Sequence, residues 1–160
     1  MKKIIVRGPA LSLSGYGEHA RFVLRSLRKY PEMFDIYLIN VPWGTTGWVW
    51  EDNEERTWID QILGKTIEYG QNGGTFDVSV QVQIPNEWEK IAPINIGITA
   101  GIESTKMSPQ WLEGCLRMDK IITISNHAKY ALETTEYPAR NNQTGENIIA
   151  KTTCPVEVVS

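Results

Sequence analysis

The sequence predicts an α/β fold: a Rossmann-like open sheet, mostly parallel, with helices on both faces. Two observations lead there. Apolar runs of strand length alternate with segments of helical spacing along the chain. The first strand also runs into a glycine-punctuated stretch and then a helix, the order of a parallel crossover unit. A chain of 160 residues, 41% hydrophobic and 22% charged, suits a single globular domain over 1–160 with a sizeable core.

The elements follow in order. Lys3-Ile4-Ile5-Val6-Arg7 is a first strand. Gly8-Pro9 and Gly15-Tyr16-Gly17 lead into a helix from Glu18 to Leu27, with Ala20, Val23, Leu24 and Leu27 at helical spacing and Arg21, Arg25 and Arg28 on other faces. Tyr30-Pro31 ends it, because a residue before proline avoids helical torsion angles. Asp35 to Asn40 is a second strand, stopped by Pro42. The segment 43–53 carries Trp43, Trp48 and Trp50 among turn formers and reads as a loop. Thr57 to Leu63 is a short helix, followed by a glycine-rich stretch from Gly70 to Gly74.

Phe76 to Val82 alternates and is a third strand, closed by Ile84-Pro85-Asn86-Glu87-Trp88. Ile94 to Thr99 is a fourth, buried on both faces. Ser108-Pro109 supplies a helix cap with proline at the first helical position, and Trp111, Leu112, Cys115 and Leu116 form that helix's apolar stripe. Lys120 to Ile124 is a fifth strand, after which Ser125 caps a helix that turns Ala128, Ala131 and Leu132 inward. Glu136 to Thr152 is polar and reads as a mobile excursion before a last strand, Val156 to Val159.

Composition excludes several classes. A net charge of -3 argues against a nucleic-acid or anionic-membrane surface. No apolar run approaches the ~20 residues that span a bilayer, and the apolar part of Met1 to Val6 is too short for a signal peptide. The default expectation is therefore a cytoplasmic protein, in which the triplet Asn142-Gln143-Thr144 is a chance match to a glycosylation site. Cys115 and Cys154 have neither CxxC spacing nor a histidine cluster beside them, so no metal, cofactor or disulfide framework is expected.

In an open parallel sheet the ligand crevice lies beyond the carboxyl ends of the strands. Right-handed crossovers would bring five connections to that edge: the glycine turn, the Trp43 loop, Pro85-Asn86, Thr99 to Glu103, and Ser125-Asn126. The glycine turn lets backbone approach a ligand, and the helix behind it offers free N–H groups and a partial positive charge. It does not match the strict dinucleotide fingerprint, since Gly8 lies too far from Gly15 and no third glycine follows Gly17 at the required position. Glu18 is best explained by favourable interaction with the helix N-terminus, with sugar contact left open; Glu103 can accept hydrogen bonds from hydroxyls, act as a base if its pKa is raised, or be a solvated carboxylate. Ser125 reads as a cap before a ligand contact, and His19 and His127 read as surface residues before crevice residues. Tryptophans in one loop either stack on a sugar or lipid or pack the loop down.

The stretch from Ile96 to Leu132 carries a resemblance. Gly97-Ile98-Thr99, Glu103-Ser104-Thr105, Pro109-Gln110-Trp111, Met118-Asp119 and Ser125-Asn126 follow one another as in family 4-like glycosyltransferases. Gly15-Tyr16-Gly17 is similar to their glycine loop, and Pro85-Asn86 with Trp88 to the strand end between. The resemblance implies the N-terminal lobe of a two-lobed GT-B enzyme of retaining, Leloir type, moving sugar without a metal from a nucleotide-sugar donor. The acceptor, a carbohydrate or a lipid-linked one, would sit on this lobe. The donor would sit chiefly on a C-terminal lobe supplied in cis or by a partner chain, so this chain alone would be inactive. The implied contacts are Gly15, Tyr16, Gly17, Glu18, Trp43, Asn86, Thr99, Glu103, Ser125 and Asn126. The glycine turn would also stabilise a diphosphate leaving group. The loop Thr99-Ala100-Gly101-Ile102-Glu103 departs from relatives that carry a histidine there. Two other readings stay open: a non-catalytic sugar-binding or assembly module, and a small nucleotide-binding Rossmann domain. Asn40 weighs against the latter, standing where an acidic residue would hold a ribose.

Overall fold

The computed structural model describes residues 2–11, 15–41, 54–99, 107–140, 145 and 147–159. Its architecture is α/β, of the Rossmann-like, mostly parallel class: six strands paired in parallel, with four helices among the described residues. The chain forms two compact units, one of Met1–Gln83 with Lys90–Asn95, the other of Ile84–Glu89 with Ile96–Ser160.

The first unit runs β1 (Lys2–Gly8), α1 (Gly15–Arg28), β2 (Phe34–Asn40), α2 (Glu54–Gln71) and β3 (Val78–Val82). β1 lies between β2 and β3, parallel to both, so Ile4, Ile5 and Val6 are buried. Ala20 and Leu24 of α1 and Ile59 and Ile62 of α2 bury the helices' apolar faces, which drives the layer packing. Arg25 pairs with Glu55, and Arg28 donates to Glu54 at 3.0 Å, stitching α1 to α2; pairs this exposed contribute at most about 1 kcal/mol each. Thr66 Oγ1 accepts the Leu38 N–H at 2.9 Å and donates to the Ile62 carbonyl at 2.6 Å, so α2 satisfies a backbone donor of β2.

Three expectations are revised here. The second helix extends well past 57–63, from Glu54 to Gln71, through Gly64 and Gly70. Nothing lies near either glycine, so they cost propensity only, about 1 kcal/mol each, which α2's packing outweighs. β3 begins at Val78 rather than Phe76: Asp77 Oδ2 accepts the Lys3 N–H at 2.8 Å, and Phe76 joins a ring cluster with Tyr37 and Tyr69. The alternation of β3 is not one of core against solvent, because Val80, Val82, Ser79, Gln81 and Gln83 are all buried. The polar face is tolerated through hydrogen bonding. Gln81 Nε2 donates to Ser79 Oγ at 3.0 Å, and Ser79 Oγ donates to Asn95 Oδ1 at 2.7 Å. Asn95 Oδ1 also accepts from the Ile91 and Ala92 N–H groups.

The second unit begins with a single 3₁₀ turn, Pro85–Glu87, and continues with β4 (Ile94–Thr99), of which 96–99 belong here. There follow α3 (Pro109–Leu116), β5 (Lys120–Thr123), α4 (Asn126–Thr134), β6 (Tyr137–Arg140), β7 (Asn147–Ala150) and β8 (Val156–Val158). β5 pairs in parallel with β4 and with β8. The core gathers Trp88, Met107, Leu112, Cys115, Met118, Ile121, Ala131, Leu132 and Val156. Two glycines admit the 3₁₀ turn. A Cβ on Gly97 of β4 would lie 2.6 Å from the Trp88 indole, and one on Gly114 of α3 would lie 1.7 Å from the Pro85 carbonyl oxygen.

The polar stretch 136–152 is corrected: it holds the antiparallel pair β6–β7, with Tyr137 opposite Ala150. Tyr137 packs against the core and its hydroxyl donates to the Met107 carbonyl, which ties the hairpin down despite its polar composition. Leu116, placed in the α3 stripe, is exposed instead, because the helix ends there and Leu112 and Cys115 take the core face.

Candidate functional site

In the first unit the carboxyl ends of β1 and β2 meet at the start of α1. Gly8 and Asn40 are register partners, and the Gly8 carbonyl accepts N–H groups from Ala10 at 2.9 Å and Val41 at 3.0 Å. Asn40 Oδ1 accepts the Leu11 N–H at 3.1 Å, so the residue that replaces an acidic ribose ligand pins the connection after β1. Arg21, on the first turns of α1, is 8% exposed. Its Nη1 donates to the Ala10 carbonyl at 2.8 Å and its Nη2 to Glu18 Oε2 at 3.1 Å. Charge-assisted bonds of this kind are the stronger ones, and this one fastens residues 8–11 to the helix.

Gly15, Tyr16 and Gly17 are not a turn ahead of the helix; they are the first residues of α1, which starts three residues earlier than expected. Glycine there lets other backbone approach the first turn of the helix closely. Gly17 is buried and Tyr16 half-buried, while the Glu18 side chain is 64% exposed. The hydrogen bond from Arg21 chiefly, and Arg25 at 3.4 Å secondarily, hold the Glu18 carboxyl below the usual carboxylate range. His19 is half-buried, and burial pushes its imidazole below the ordinary value. The helix start thus pairs a carboxylate held by Arg21 with the positive end of the helix dipole. That pairing favours a neutral polyhydroxylated group, which both donates and accepts, over a bare diphosphate, which Glu18 would repel.

In the second unit Thr99 and Thr123 end β4 and β5 as register partners, both fully buried. Thr123 Oγ1 has no hydrogen-bond partner among the described residues. Ser125 is the N-cap of α4, its Oγ accepting the Ala128 N–H at 3.1 Å, so its hydroxyl serves the helix. Asn126 and His127 are exposed on the first turn of α4, and Asn86 is exposed on the 3₁₀ turn. Trp43, with its neighbours Trp48 and Trp50, and Glu103 lie outside the described residues. The structure therefore brings Gly15, Tyr16, Gly17 and Glu18 together in one unit, and Thr99, Ser125 and Asn126 to one end of the other unit's strands.

Sequence reasoning missed Arg21 and the part Asn40 plays in holding the connection after β1. The signal for Asn40 was present: a short amide directly after a strand, level with the end of the parallel neighbour, is placed to cap that neighbour's loop. Arg21 gave none, since its helical spacing fits a solvated face equally well. Among the described residues no three His, Cys, Asp or Glu side chains cluster to hold a metal. No family model, curated protein or solved structure matches the chain.

Proposed function

We propose that this chain is the acceptor-binding lobe of a sugar-transferring enzyme, holding a carbohydrate or lipid-linked acceptor at the start of α1 while a nucleotide-sugar donor is held chiefly by a second lobe. The observation that carries this reading is Glu18 in the first turn of α1. Its carboxylate, kept ionised by Arg21 and Arg25, stands beside helix N–H groups at the carboxyl ends of β1 and β2. A sugar hydroxyl donates to the carboxylate while its oxygen accepts from a backbone N–H, a complementarity that a nucleotide diphosphate lacks. Glu18 in this reading holds acceptor hydroxyls; Tyr16 supplies an aromatic wall; Gly15 and Gly17 give the close approach. The chain's residues bind and orient, and the bond-making groups belong to the second lobe.

The same Glu18 geometry disfavours the nucleotide-binding alternative, whereas a non-catalytic sugar-binding module uses the site identically. The test is titration of the chain with methyl glycosides and short oligosaccharides, and separately with nucleotide-diphosphate sugars, followed by backbone amide shifts. Saturable shifts at Gly8, Ala10, Leu11 and Gly15 to His19 with a neutral carbohydrate are expected, and Glu18→Ala abolishes them. Saturable binding of nucleotide sugars with no response to any carbohydrate would overturn the reading. Transfer activity on adding a C-terminal lobe separates the enzyme from the binding module.

A further inference from the structure

At the other end of β2, the first unit contains an open, solvent-facing cavity of about 170 Å³. It opens between the last turn of α1, the first residues of β2 and the middle of α2. The seven residues of β2 put it about 20 Å from the Gly8–Asn40 end, so it is independent of the acceptor site. Its floor is apolar, with Ile36 and Ile62 nearly fully buried. One wall is the half-buried Trp58 indole, over which the Arg28 guanidinium lies at 4.7 Å from the ring centroid. The opposite wall is Lys65, which pairs with Asp35 and donates to the Ile36 carbonyl at 3.0 Å. Both cations are paired, Lys65 with Asp35 and Arg28 with Glu54, so a charge of +1 is left on the lining only when Glu54 swings away.

We propose that this cavity is a binding site for a small aromatic monoanion: one ring carrying a carboxylate or similar acidic group. The size fits one ring, laid over the apolar floor of Ile36 and Ile62 with its edge toward solvent. With Glu54 displaced from Arg28, the charge fits a single negative group. The geometry also indicates where that group sits. Arg28 is held by Glu54, whose side chain is 87% exposed, in a surface pair of little net stability. A ligand carboxylate takes the place of Glu54 on the guanidinium fork, which matches carboxylates bidentately, while its ring lies over Ile36 and Ile62 beside Trp58. Glu54 is then an internal competitor for the site.

That competition supplies the test. Titration of the intact chain with sodium benzoate, followed by amide shifts, is expected to give saturable changes at Arg28, Asp35, Trp58 and Lys65. Benzyl alcohol and benzylammonium should bind about tenfold or more weakly. Glu54→Gln, on an exposed side chain, should tighten benzoate severalfold, and Arg28→Gln should weaken it about tenfold while the thermal midpoint stays within a few degrees. Absence of saturable binding, equal binding of benzylammonium, or a Glu54→Gln affinity equal to the parent's would overturn the proposal. So would shifts that persist unchanged in Arg28→Gln. None of these outcomes bears on carbohydrate binding at α1, which is read from different amides.

Discussion

Replacing Gly97 by alanine tests how the second unit is packed. The new methyl would stand 2.6, 2.7 and 2.8 Å from Cε2, Cζ2 and Cδ2 of Trp88, against the 3.5–4.0 Å of an ordinary carbon contact. The indole cannot swing away. It is fully buried, its backbone N–H donates to the Pro85 carbonyl at 3.2 Å, and its carbonyl accepts from Arg117 Nη1 at 3.0 Å. The overlap of about 1 Å must be absorbed by moving the ring or the strand, and overpacking of that kind costs about 1–3 kcal/mol. Movement of a whole buried indole belongs at the upper end, about 3 kcal/mol, or roughly 6–12 °C in the melting temperature of a chain this size. Without the clash the sign reverses, because alanine in place of a strand glycine stabilises by about 0.5–1 kcal/mol. Urea unfolding of Gly97→Ala, Trp88→Leu and the double variant measures the coupling directly. The alanine should cost little in the Trp88→Leu background, where the space beside Cβ is free. A Gly97→Ala protein as stable as the parent, or an equal cost in both backgrounds, would refute the reasoning.

Three further outcomes are expected. Arg21→Met leaves the Ala10 carbonyl without its partner and the Glu18 carboxylate with Arg25 alone, so unfolding free energy should fall by about 1–3 kcal/mol in urea and the Glu18 carboxyl should titrate at higher pH by NMR. His19 has a folded-state value below its unfolded one, so the unfolded chain binds the extra proton first as pH drops. Stability is therefore undiminished above about pH 6.5 and declines below it, and His19→Gln should flatten that part of a urea-midpoint profile between pH 5 and 7.5. Burial pushes the Cys115 thiol up to about 12 and shields it completely. A thiol reagent at pH 8 should therefore modify Cys154 at most in the native protein, and reach Cys115 only on unfolding.

The class of the fold was legible because it depends on periodicity over whole segments. Strands such as Ile4 to Val6 show continuous apolar runs, Ile94 to Thr99 places an isoleucine at every second position, and Ser108-Pro109 and Ser125 announce helix starts by side-chain chemistry that acts locally. What failed depended on partners distant in sequence. The helical state of Gly64 and Gly70 follows from the packing of Ile59 and Ile62, not from their own preference. The β6–β7 hairpin is held by Tyr137 reaching Met107, thirty positions away. The polar face of β3 is buried because Asn95 meets Ser79. In the candidate site, the glycines and Glu18 were visible as residues. Their arrangement was not, because the helix start is set by the Arg21–Ala10 contact that brings the preceding connection down onto α1.

The placement of β1 between β2 and β3 governs how the chain is born. Its first neighbour starts at Phe34, but its second, beginning at Val78, pairs Ile4 across seventy-four positions. At ribosomal rates of about 5–20 residues per second, one flank of this apolar ribbon waits roughly 4–15 s for its mate. During that interval Ile4, Ile5 and Val6 present an open hydrogen-bonding edge, the kind of surface on which unpaired strands aggregate.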